Sequence, residues 1–532
     1  MLSNVMNLGR LLADTARRLP DQPGLIFSDG TSTGVCDRIV TWKQLNDRVD
    51  AVAHALQRLG VKKGDKMLVH SRNNQQQFES AWVAFKLGMV WVPTNVRITP
   101  PEAAYLGQSS GAGVMLYDHG FAHYVDAVRA ASPLLQHVIA LADPRAGELD
   151  YETLATSAQQ RFTEVDVDYQ DPLWFFYTSG TTGYPKAAML SHGQMAFVVT
   201  NHLADLLPGL NHQSRSLVVA PLSHGAGIHA LVNTARGAAS IFLPGERLVP
   251  QQAWQLVQRY RVDNMFTVPT IVKMLTEDAA VDRYDHSSLK HVIYAGAPMY
   301  RADQVHALKK LGKVLVQYYG LGEVTGNITF LPSYLHEIDD QHPQARVGSC
   351  GMPRTGMEIA ILDDAGSRLK PFDTGEICVR GLAVFMGYHN NPEANAKAFK
   401  GGWFHTGDLG HVDQEGFLYL TGRSSDMYIS GGSNVYPREI EEALLTHPAV
   451  SEVAVLGVPD AKWGESGIAV IVAKSGQHAD AATLLAHLES CLAKYKWPRR
   501  FVFWDSIPKS AYGKIVKKQI KNLLEEQGDY RL

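Results

Sequence analysis

The sequence predicts an α/β protein with largely parallel strands, divided into at least two domains. Apolar residues recur at helical spacing over 42–59, a turn and a strand follow over 63–70, and a helix over 78–89 leads into a strand at 90–93. This alternation is typical of βαβ units, in which a helix connects two parallel strands. A length of 532 residues exceeds what one hydrophobic core usually supports, so we expect more than one domain.

Composition and charge exclude several classes of protein. Apolar residues make up 45% and charged residues 19%, which is typical of a soluble globular protein. The net charge of −3 argues against a nucleic-acid-binding surface spread over the whole molecule. The sequence shows neither a signal-peptide pattern nor an apolar run long enough to span a membrane, so any membrane contact is expected to be peripheral.

The pattern of cysteines indicates the cellular compartment in which the protein is expected. They stand at positions 36, 350, 378 and 491 without the paired spacing of a disulfide framework or a zinc site. A reducing, cytoplasmic location is the simplest setting for such a pattern.

A loop rich in glycine and hydroxyl residues follows a predicted buried strand at 173–177. Its residues are Thr178, Ser179, Gly180, Thr181, Thr182 and Gly183, and Lys186 follows after Tyr184 and Pro185. Glycines let the backbone approach an anion, hydroxyls donate hydrogen bonds to phosphate oxygens, and a lysine adds positive charge. The spacing differs from a Walker A loop, and an ordinary strand-to-helix turn is the alternative. The fixed lysine favours a phosphate-binding loop.

The segment 177–186 resembles the signature of the adenylate-forming superfamily, which includes acyl-CoA synthetases, aryl-CoA ligases, luciferases and peptide-synthetase adenylation domains. At least five further motifs in the expected order extend the resemblance over nearly the whole chain. It implies an acyl-CoA synthetase-like fold. Residues 1–423 would form a large multi-sheet α/β domain that holds ATP and the acid, and residues 424–532 a small, mobile α+β domain.

The resemblance implies a nucleotide site with a metal ion. Tyr319 offers a face for stacking, and Glu323 a hard oxygen ligand for Mg²⁺. The implied nucleotide contacts outside the phosphate loop are Gly296, Ala297, Tyr319, Gly320, Asp408 and Arg423. Asp408 and Arg423 resemble the ribose contacts, since a carboxylate accepts hydrogen bonds from ribose hydroxyls.

Two positions depart from the family pattern. Gly322 stands where relatives carry threonine, so one hydroxyl contact is missing, and losing one hydrogen bond to a charged group costs about 1.5 to 3 kcal/mol. We expect a lower rate without loss of the chemistry. Ser425 stands where relatives carry Asp or Lys at the hinge between domains; a short polar residue still allows backbone rotation there.

The acyl pocket is predicted to be roomy and mostly apolar. The residues assigned to it by resemblance are His224, Gly225, Gly227, Ala297, Leu321 and Gly322. A medium- or long-chain fatty acid or an aryl acid would suit such a pocket, and no arginine is placed to hold a second carboxylate. A structural role for the single histidine remains the alternative.

The resemblance implies two half-reactions. In the first, the acid attacks the α-phosphate of ATP to give an acyl-adenylate and pyrophosphate; in the second, the thiol of coenzyme A displaces AMP. Both reactants of the first step are anions, so positioning and charge neutralisation are the main requirements. The residues assigned to catalysis are Lys514, Glu323 and Thr178, and the segment offered to coenzyme A is Ser430, Gly431 and Gly432.

Other interpretations remain open at this stage. Lys514 lies among several lysines that alternatively form a solvated basic tail. The enzyme alternatively loads a carrier protein, or is a catalytically impaired adenylate-binding homologue. A homodimer is possible, and Lys514 resembles an acetylation target of relatives, which predicts a lysine acetyltransferase as a further partner.

Overall fold

The structure is a computed structural model that describes residues 4–31, 36–156, 161–178, 184–245, 247–431, 433–509 and 515–530. The helices within these ranges are α1 Arg10–Arg18, α2 Trp42–Arg58, α3 Gln75–Lys86, α4 Pro100–Ser110, α5 Ala122–Ala131, α6 Tyr151–Thr156, α7 His192–Asp205, α8 Gly225–Arg236, α9 Pro250–Tyr260, α10 Pro269–Glu277, α11 Arg301–Leu311, α12 Pro392–Ala398, α13 Pro437–Leu445, α14 Ala481–Glu489 and α15 Lys517–Glu526.

The strands are β1 Asn4–Val5, β2 Pro23–Phe27, β3 Arg38–Thr41, β4 Lys66–His70, β5 Val90–Pro93, β6 Val114–Tyr117, β7 His137–Ala140, β8 Leu149–Asp150, β9 Val167–Asp168, β10 Pro172–Thr178, β11 Lys186–Ser191, β12 Arg215–Val218, β13 Ala239–Phe242, β14 Asn264–Thr267, β15 His291–Tyr294, β16 Leu315–Tyr319, β17 Thr329–Leu331, β18 Ser349–Pro353, β19 Met357–Leu362, β20 Gly375–Gly381, β21 Phe399–Lys400, β22 Trp403–Val412, β23 Leu418–Arg423, β24 Tyr428–Ser430, β25 Ser433–Val435, β26 Val450–Asp460, β27 Gly464–Ala473 and β28 Arg500–Phe503.

The predicted βαβ segments near the N-terminus are present. Helix α2 begins with a capping box, in which the side chain of Thr41 accepts from the Gln44 backbone and the Gln44 side chain accepts from the Thr41 backbone. Helix α3 begins earlier than predicted, because Asn74 caps it by accepting a hydrogen bond from the Gln77 backbone. The polar residues after this cap gave no apolar periodicity from which to predict the first turn.

Two large sheets form the N-terminal part of the described chain. One has seven strands in the order β11-β10-β5-β4-β6-β7-β8, parallel except for the pair β10 and β11. The other has a parallel central run, β2-β13-β12-β14-β15-β16, with β3 antiparallel on its outer side. The multi-sheet α/β prediction is therefore confirmed.

The second sheet continues beyond β16 into an antiparallel region formed by residues 329–423. Strands β17, β18, β23, β22, β20 and β19 follow one another there, and β21 pairs with β22. The sequence interpretation predicted parallel strands and did not predict this region. Its consequence for function is large, because the middle of β22 and the end of β23 carry two of the predicted nucleotide contacts.

The last part of the chain forms a smaller α+β unit. Strands β25, β24, β27 and β26 pair in that order, and β28 adds to β27 in parallel. Helix α14 is shorter than the predicted helix over 482–495. The chain turns after Glu489, and the Trp497 indole Nε1 donates to the Leu492 carbonyl at 2.8 Å, which holds the turn in place.

Tryptophans and branched aliphatic residues fill the principal core between the two large sheets. The indole rings of Trp91 on β5 and Trp174 on β10 meet edge to face, with centroids 4.6 Å apart. This contact fixes the strand that leads into the predicted phosphate loop. Within the described ranges, every helix is too short or too polar to cross a bilayer.

Candidate active site

Glu323 lies at the centre of the site, on a short 3-10 turn that follows β16. Its Oε1 accepts hydrogen bonds from the Thr178 hydroxyl and from the Tyr388 hydroxyl, each at 2.9 Å. The side chain is almost fully buried, with 5% of the residue exposed. These contacts bring together the end of β10, the turn after β16 and the segment before α12. They place two predicted residues, Thr178 and Glu323, in direct contact.

The Glu323 carboxylate retains capacity to bind a cation. Among the described residues, both of its side-chain hydrogen bonds fall on Oε1, and neither involves Oε2. A carboxylate oxygen held in place by neutral donors is a suitable ligand for Mg²⁺, which prefers hard oxygen ligands and retains several waters. The residues present therefore fit the predicted metal ion.

Tyr388 is a site residue that the sequence analysis missed. Burial, together with the Glu323 charge, raises its pKa, so its hydroxyl remains a donor at neutral pH. The Lys186 ammonium lies 4.8 Å from the centre of the Tyr388 ring, in cation–π geometry. A lone Tyr between Gly387 and His389 carries no motif, so the sequence alone offered no signal for it.

The predicted phosphate loop is bracketed by two strands. Thr178 at the end of β10 pairs with Lys186 at the start of β11 in antiparallel register. The hydroxyl and the ammonium are thus fixed at the two ends of the loop. The loop residues themselves, Ser179, Gly180, Thr181, Thr182 and Gly183, lie outside the described residues.

A second cluster forms around Asp408 on β22. Its Oδ2 accepts a hydrogen bond of 2.6 Å from the Tyr319 hydroxyl, and its Oδ1 lies 3.0 Å from Nε of Arg423, its register partner on β23. Burial and the neighbouring Asp408 raise the pKa of Tyr319 far above its usual value. Although burial opposes it, the Asp408 charge also raises the pKa of Arg423. The structure thus brings three predicted nucleotide contacts together.

A network behind Asp408 fixes the irregular stretch of β22 that presents it. Gly407 has a positive φ of 74°, and its N–H donates to Oε1 of Glu376 at 3.0 Å. The Thr406 hydroxyl donates to the Ile377 carbonyl at 2.7 Å and accepts from the Asp408 N–H at 3.1 Å. Glu376 and Thr406 were not predicted, because their partners come from a strand pairing that the sequence pattern did not show.

The structure explains the glycine at position 322. A Cβ at this position would lie 2.5 Å from Cδ1 of Phe176 and 3.0 Å from Cγ2 of Thr178. The Phe176 ring therefore fills the space that a threonine would need. That ring in turn meets the His224 ring edge to face at 4.9 Å. Position 322 and His224 thus share one aromatic neighbour.

Three of the predicted acyl-pocket residues lie at the start of α8, and the others follow β15 and β16. His224 is the residue before the helix, and a Cβ on Gly225 would lie 2.4 Å from the Phe266 ring. A Cβ on Gly227 would lie 2.1 Å from the Leu222 carbonyl oxygen. Glycine is therefore required at both positions by close packing, and Gly227 serves the helix–strand contact. Leu321 is half-buried directly before Gly322.

The predicted adenine wall and the backbone at Gly320 are both described. Gly296 is exposed with a positive φ of 84°, and Ala297 beside it is half-buried. A Cβ on Gly320 would lie 2.5 Å from Cα of Gly326, so the two glycines bring neighbouring backbone segments into contact. An open turn at 296–297 is compatible with a flat ring lying on backbone.

One buried arginine, Arg354, lies behind the site and forms an ion pair. Its Nε is 2.8 Å from Oδ2 of Asp205 at the end of α7, and both side chains are nearly inaccessible. The same carboxylate accepts from the Thr355 backbone and hydroxyl. Since Asp205 neutralises it, Arg354 does not provide the free cation that a second substrate carboxylate would require.

The C-terminal site residues are described in part. Ser430 ends β24, and the Gly431 N–H donates to the Trp463 carbonyl at 2.9 Å, with a positive φ of 55°. Gly432 and Lys514 lie outside the described residues. The flanks of Lys514 are described: Lys509 pairs with Ile515, and Lys517 lies 2.9 Å from Glu441 and 3.9 Å from Asp426.

The fold and the two clusters around Glu323 and Asp408 suit an enzyme that binds a nucleotide together with a metal ion. The comparisons agree. Residues 12–389 match the family model described as AMP-binding enzyme, and residues 439–514 match the model described as AMP-binding enzyme C-terminal domain. The chain belongs to the AMP-binding enzyme family.

Individual relatives are similar over nearly the full chain. A feruloyl-CoA synthase from Amycolatopsis sp is 35% identical over 488 residues, which cover 91% of this chain and 93% of the relative. The long-chain-fatty-acid–CoA ligase FadD13 of Mycobacterium tuberculosis is 32% identical over 490 residues, covering 91% and 92%. The solved amide bond synthetase McbA from Marinactinospora thermotolerans superimposes with a TM-score of 0.85 at 27% identity, covering 97% and 99%.

Proposed function

We propose that the protein is an AMP-forming acyl-CoA ligase that activates an aryl or a medium- to long-chain aliphatic acid with ATP and transfers the acyl group to coenzyme A. The carrying observation is the contact of Thr178 and Tyr388 with the same Glu323 oxygen. It joins the phosphate-loop strand to the predicted metal ligand, and Lys186 stands at the other end of that loop. This arrangement suits binding of a nucleoside triphosphate.

Six described residues have a role in the first half-reaction: Asp408, Arg423, Tyr319, Thr178, Lys186 and Glu323. Asp408 accepts hydrogen bonds from the ribose, and Arg423 and Tyr319 hold its carboxylate in place. Thr178 and Lys186 hold the terminal phosphates. Mg²⁺ bound to Glu323 would supply positive charge against the phosphate oxygens. Because both substrates are anions, holding them in line and neutralising their charge is the principal catalytic task.

Lys514 is proposed as the cation that bridges the acid carboxylate and the α-phosphate. Its described flank supports this assignment, since Lys517 lies beside Asp426, and Asp426 lies three positions after the ribose contact Arg423. The Asp426 charge also acts on Arg423. The segment containing Ser430 and Gly431 is proposed to face the pantetheine arm of coenzyme A, with residues 424–532 acting as the mobile domain.

An aryl acid is the first substrate class to test. Phe176 and the His224 ring lie edge to face beside Gly322, and Phe266 packs against Gly225 and stacks on Tyr318 with centroids 6.0 Å apart. Aromatic walls at these positions offer offset and edge-to-face contacts to a substrate ring. A feruloyl-CoA synthase among the relatives points the same way.

The test is a panel of acids with purified protein, ATP and Mg²⁺. Pyrophosphate release is measured without coenzyme A, and AMP and acyl-CoA formation with it. We expect acid-dependent pyrophosphate release and stoichiometric acyl-CoA formation, with hydroxycinnamate-like acids ahead of straight-chain acids. Pyrophosphate release without any acyl-CoA, whatever the acid, would instead favour a carrier protein or an amine as acceptor. No acid-dependent release from the whole panel would contradict the proposal.

A further inference from the structure

Three potential metal ligands meet on neighbouring strands beside the ribose cluster. Glu376 and Cys378 lie on β20, and His405 lies opposite Cys378 in the register of β22. The Cys378 Sγ is 3.3 Å from Nδ1 of His405, which is 2.7 Å from Oε2 of Glu376. The three ligand atoms all lie within 4.8 Å of one another. None of the three is assigned a direct contact with ATP or the acid; Glu376 also accepts the Gly407 N–H next to Asp408.

The ligand types favour a borderline-soft divalent cation. A thiolate, an imidazole nitrogen and a carboxylate oxygen are the groups that bind Zn²⁺, and three protein ligands with one open position are a common arrangement. Mg²⁺ prefers oxygen ligands alone, which separates this cluster from Glu323. The local charge also suits a cation, since the Glu376 carboxylate acts on Cys378.

The backbone holds the ligands in position and leaves a path from solvent. Glu376 and Cys378 are two residues apart on one strand, so they share a face, and the antiparallel pairing brings His405 to the same face. The Gly407 N–H donates to Oε1 of Glu376, which leaves Oε2 directed at His405. Such outer hydrogen bonds orient metal-binding carboxylates. The side chains of His405 and Glu376 are 17% and 32% exposed, while Cys378 is buried.

We propose that Cys378 Sγ, His405 Nδ1 and Glu376 Oε2 form a binding site for Zn²⁺ or a similar late transition-metal cation. On binding, the Cys378 thiol loses its proton to solvent and forms the metal–sulfur bond. The His405 imidazole stays neutral and binds through the Nδ1 lone pair, with its proton on Nε2. A free cysteine thiol is protonated at neutral pH, so binding as a thiolate releases one proton.

A metal ion bound at this site would stabilise the fold. It would cross-link β20 to β22 immediately before the irregular stretch of β22 that carries Asp408, and it shares Glu376 with the hydrogen bonds of that stretch. Ligand binding to the folded state alone raises the unfolding temperature. A metal held at this position therefore stabilises the antiparallel region that carries the ribose contact.

The experiment is a Co²⁺ titration of the full-length protein after treatment with a chelator and a reductant. Co²⁺ bound to a thiolate gives a near-ultraviolet charge-transfer band, so the readout is independent of enzymatic activity. We expect one equivalent to produce the band, and Cys378→Ala to abolish it. Cys36→Ala and Cys491→Ala, at the two exposed cysteines, are matched controls that should retain it.

A second variant keeps the test decisive if Cys378→Ala fails to fold. Glu376→Gln retains the shape of the side chain and an oxygen for the Gly407 N–H, and should weaken Zn²⁺ binding about tenfold or more in competition with a chromophoric chelator. Zn²⁺ should also raise the unfolding temperature of the native protein more than that of Glu376→Gln. Absence of the band in the native protein, its survival in Cys378→Ala, or unchanged Zn²⁺ affinity in Glu376→Gln would each overturn the proposal.

Discussion

The Tyr388 hydroxyl donates to the same Glu323 oxygen that accepts from Thr178, so one carboxylate oxygen carries both hydrogen bonds and the other carries none from the described side chains. This geometry gives Glu323 a single orientation. It also makes Tyr388 a positioning residue. No sequence motif around Tyr388 indicates this role.

Replacing the carboxylate should therefore impair adenylation without unfolding the protein. Glu323→Gln keeps acceptor and shape but removes the charge, and a lost charged interaction costs about 1.5 to 3 kcal/mol. We expect acid-dependent pyrophosphate release to fall by roughly ten- to a hundredfold. Tyr388→Phe should give a smaller loss, mainly at low Mg²⁺. Equal activity of the native protein and Glu323→Gln across a Mg²⁺ titration would show that Glu323 is not part of the active site.

Lys514→Ala should separate the two half-reactions. Without the lysine, attack of one anion on another loses its bridging cation, so pyrophosphate release is expected to fall to background. Transfer from a supplied acyl-adenylate to coenzyme A should continue near the native rate. The control is Lys518→Ala in the same basic segment, which should retain both activities. Equal loss of both half-reactions in Lys514→Ala would contradict this division.

Thr406→Val should weaken ATP binding through Asp408. The substitution keeps the branched shape but removes the hydroxyl that donates to Ile377 and accepts from the Asp408 backbone. One ordinary hydrogen bond contributes about 0.5 to 1.5 kcal/mol, so the KM for ATP should rise about two- to tenfold, with kcat changing less. Thr406→Ser is the matched control and should restore the native KM. A fall in kcat with an unchanged KM for ATP would show that Thr406 does not act through ATP binding.

Gly322→Thr should not restore a family-like site by itself. The added Cβ would contact the Phe176 ring at 2.5 Å, and overpacking of this kind costs about 1 to 3 kcal/mol. We expect lower stability and activity for the single variant, with recovery in Gly322→Thr combined with Phe176→Leu. Thermal unfolding and pyrophosphate release of both single variants and the double variant form the cycle. Additive losses in the double variant would show that the two positions are not coupled.

Buried histidines should make the protein sensitive to mild acid. Burial lowers the pKa of His70, His192, His229 and His336 to about 4, against 6.5 in an exposed residue. Between these values the unfolded chain binds protons that the folded chain does not, so stability is full above 6.5 and falls as the pH drops toward 4. Each histidine contributes up to about 3 kcal/mol to this loss.

Urea unfolding at a series of pH values measures the acid effect. The unfolding free energy should decline steadily below pH 6.5, and His229→Gln, which retains polar contact with Asn264, should flatten the decline. A pH-independent unfolding free energy over this window would exclude the mechanism.

Sequence reasoning named candidate residues of the nucleotide site, but not the residues that support them in the structure. Thr178, Glu323, Tyr319, Asp408 and Arg423 carry recognisable chemistry within local motifs, and they meet in the structure. Tyr388, Glu376 and Thr406 act through partners that are distant in the chain. The contacts of Glu376 and Thr406 depend on an antiparallel pairing that no local period reveals, because the register of β20 and β22 shifts there. The contact of Tyr388 joins a loop after β20 to the turn after β16.

Helix boundaries were likewise predicted well where the sequence carries a local signal and less well where it does not. Helix α2 has clear apolar periodicity and a capping box, so its limits were close to the prediction. Helix α14 lacked a visible stop signal, and a side-chain contact from Trp497 ends that stretch instead. The positions of Lys514 and of the loop 179–183 stay predictions, as do a homodimer and acetylation of Lys514.

The buried pair of Arg354 and Asp205 restricts how this lineage can change. Losing either partner alone would strand a charge in the interior, at about 3 to 5 kcal/mol, whereas an apolar pair of similar volume would be tolerated. Descendant sequences should therefore keep both residues or replace both. A variant that keeps only one would be destabilised and lost by selection before the second substitution occurs.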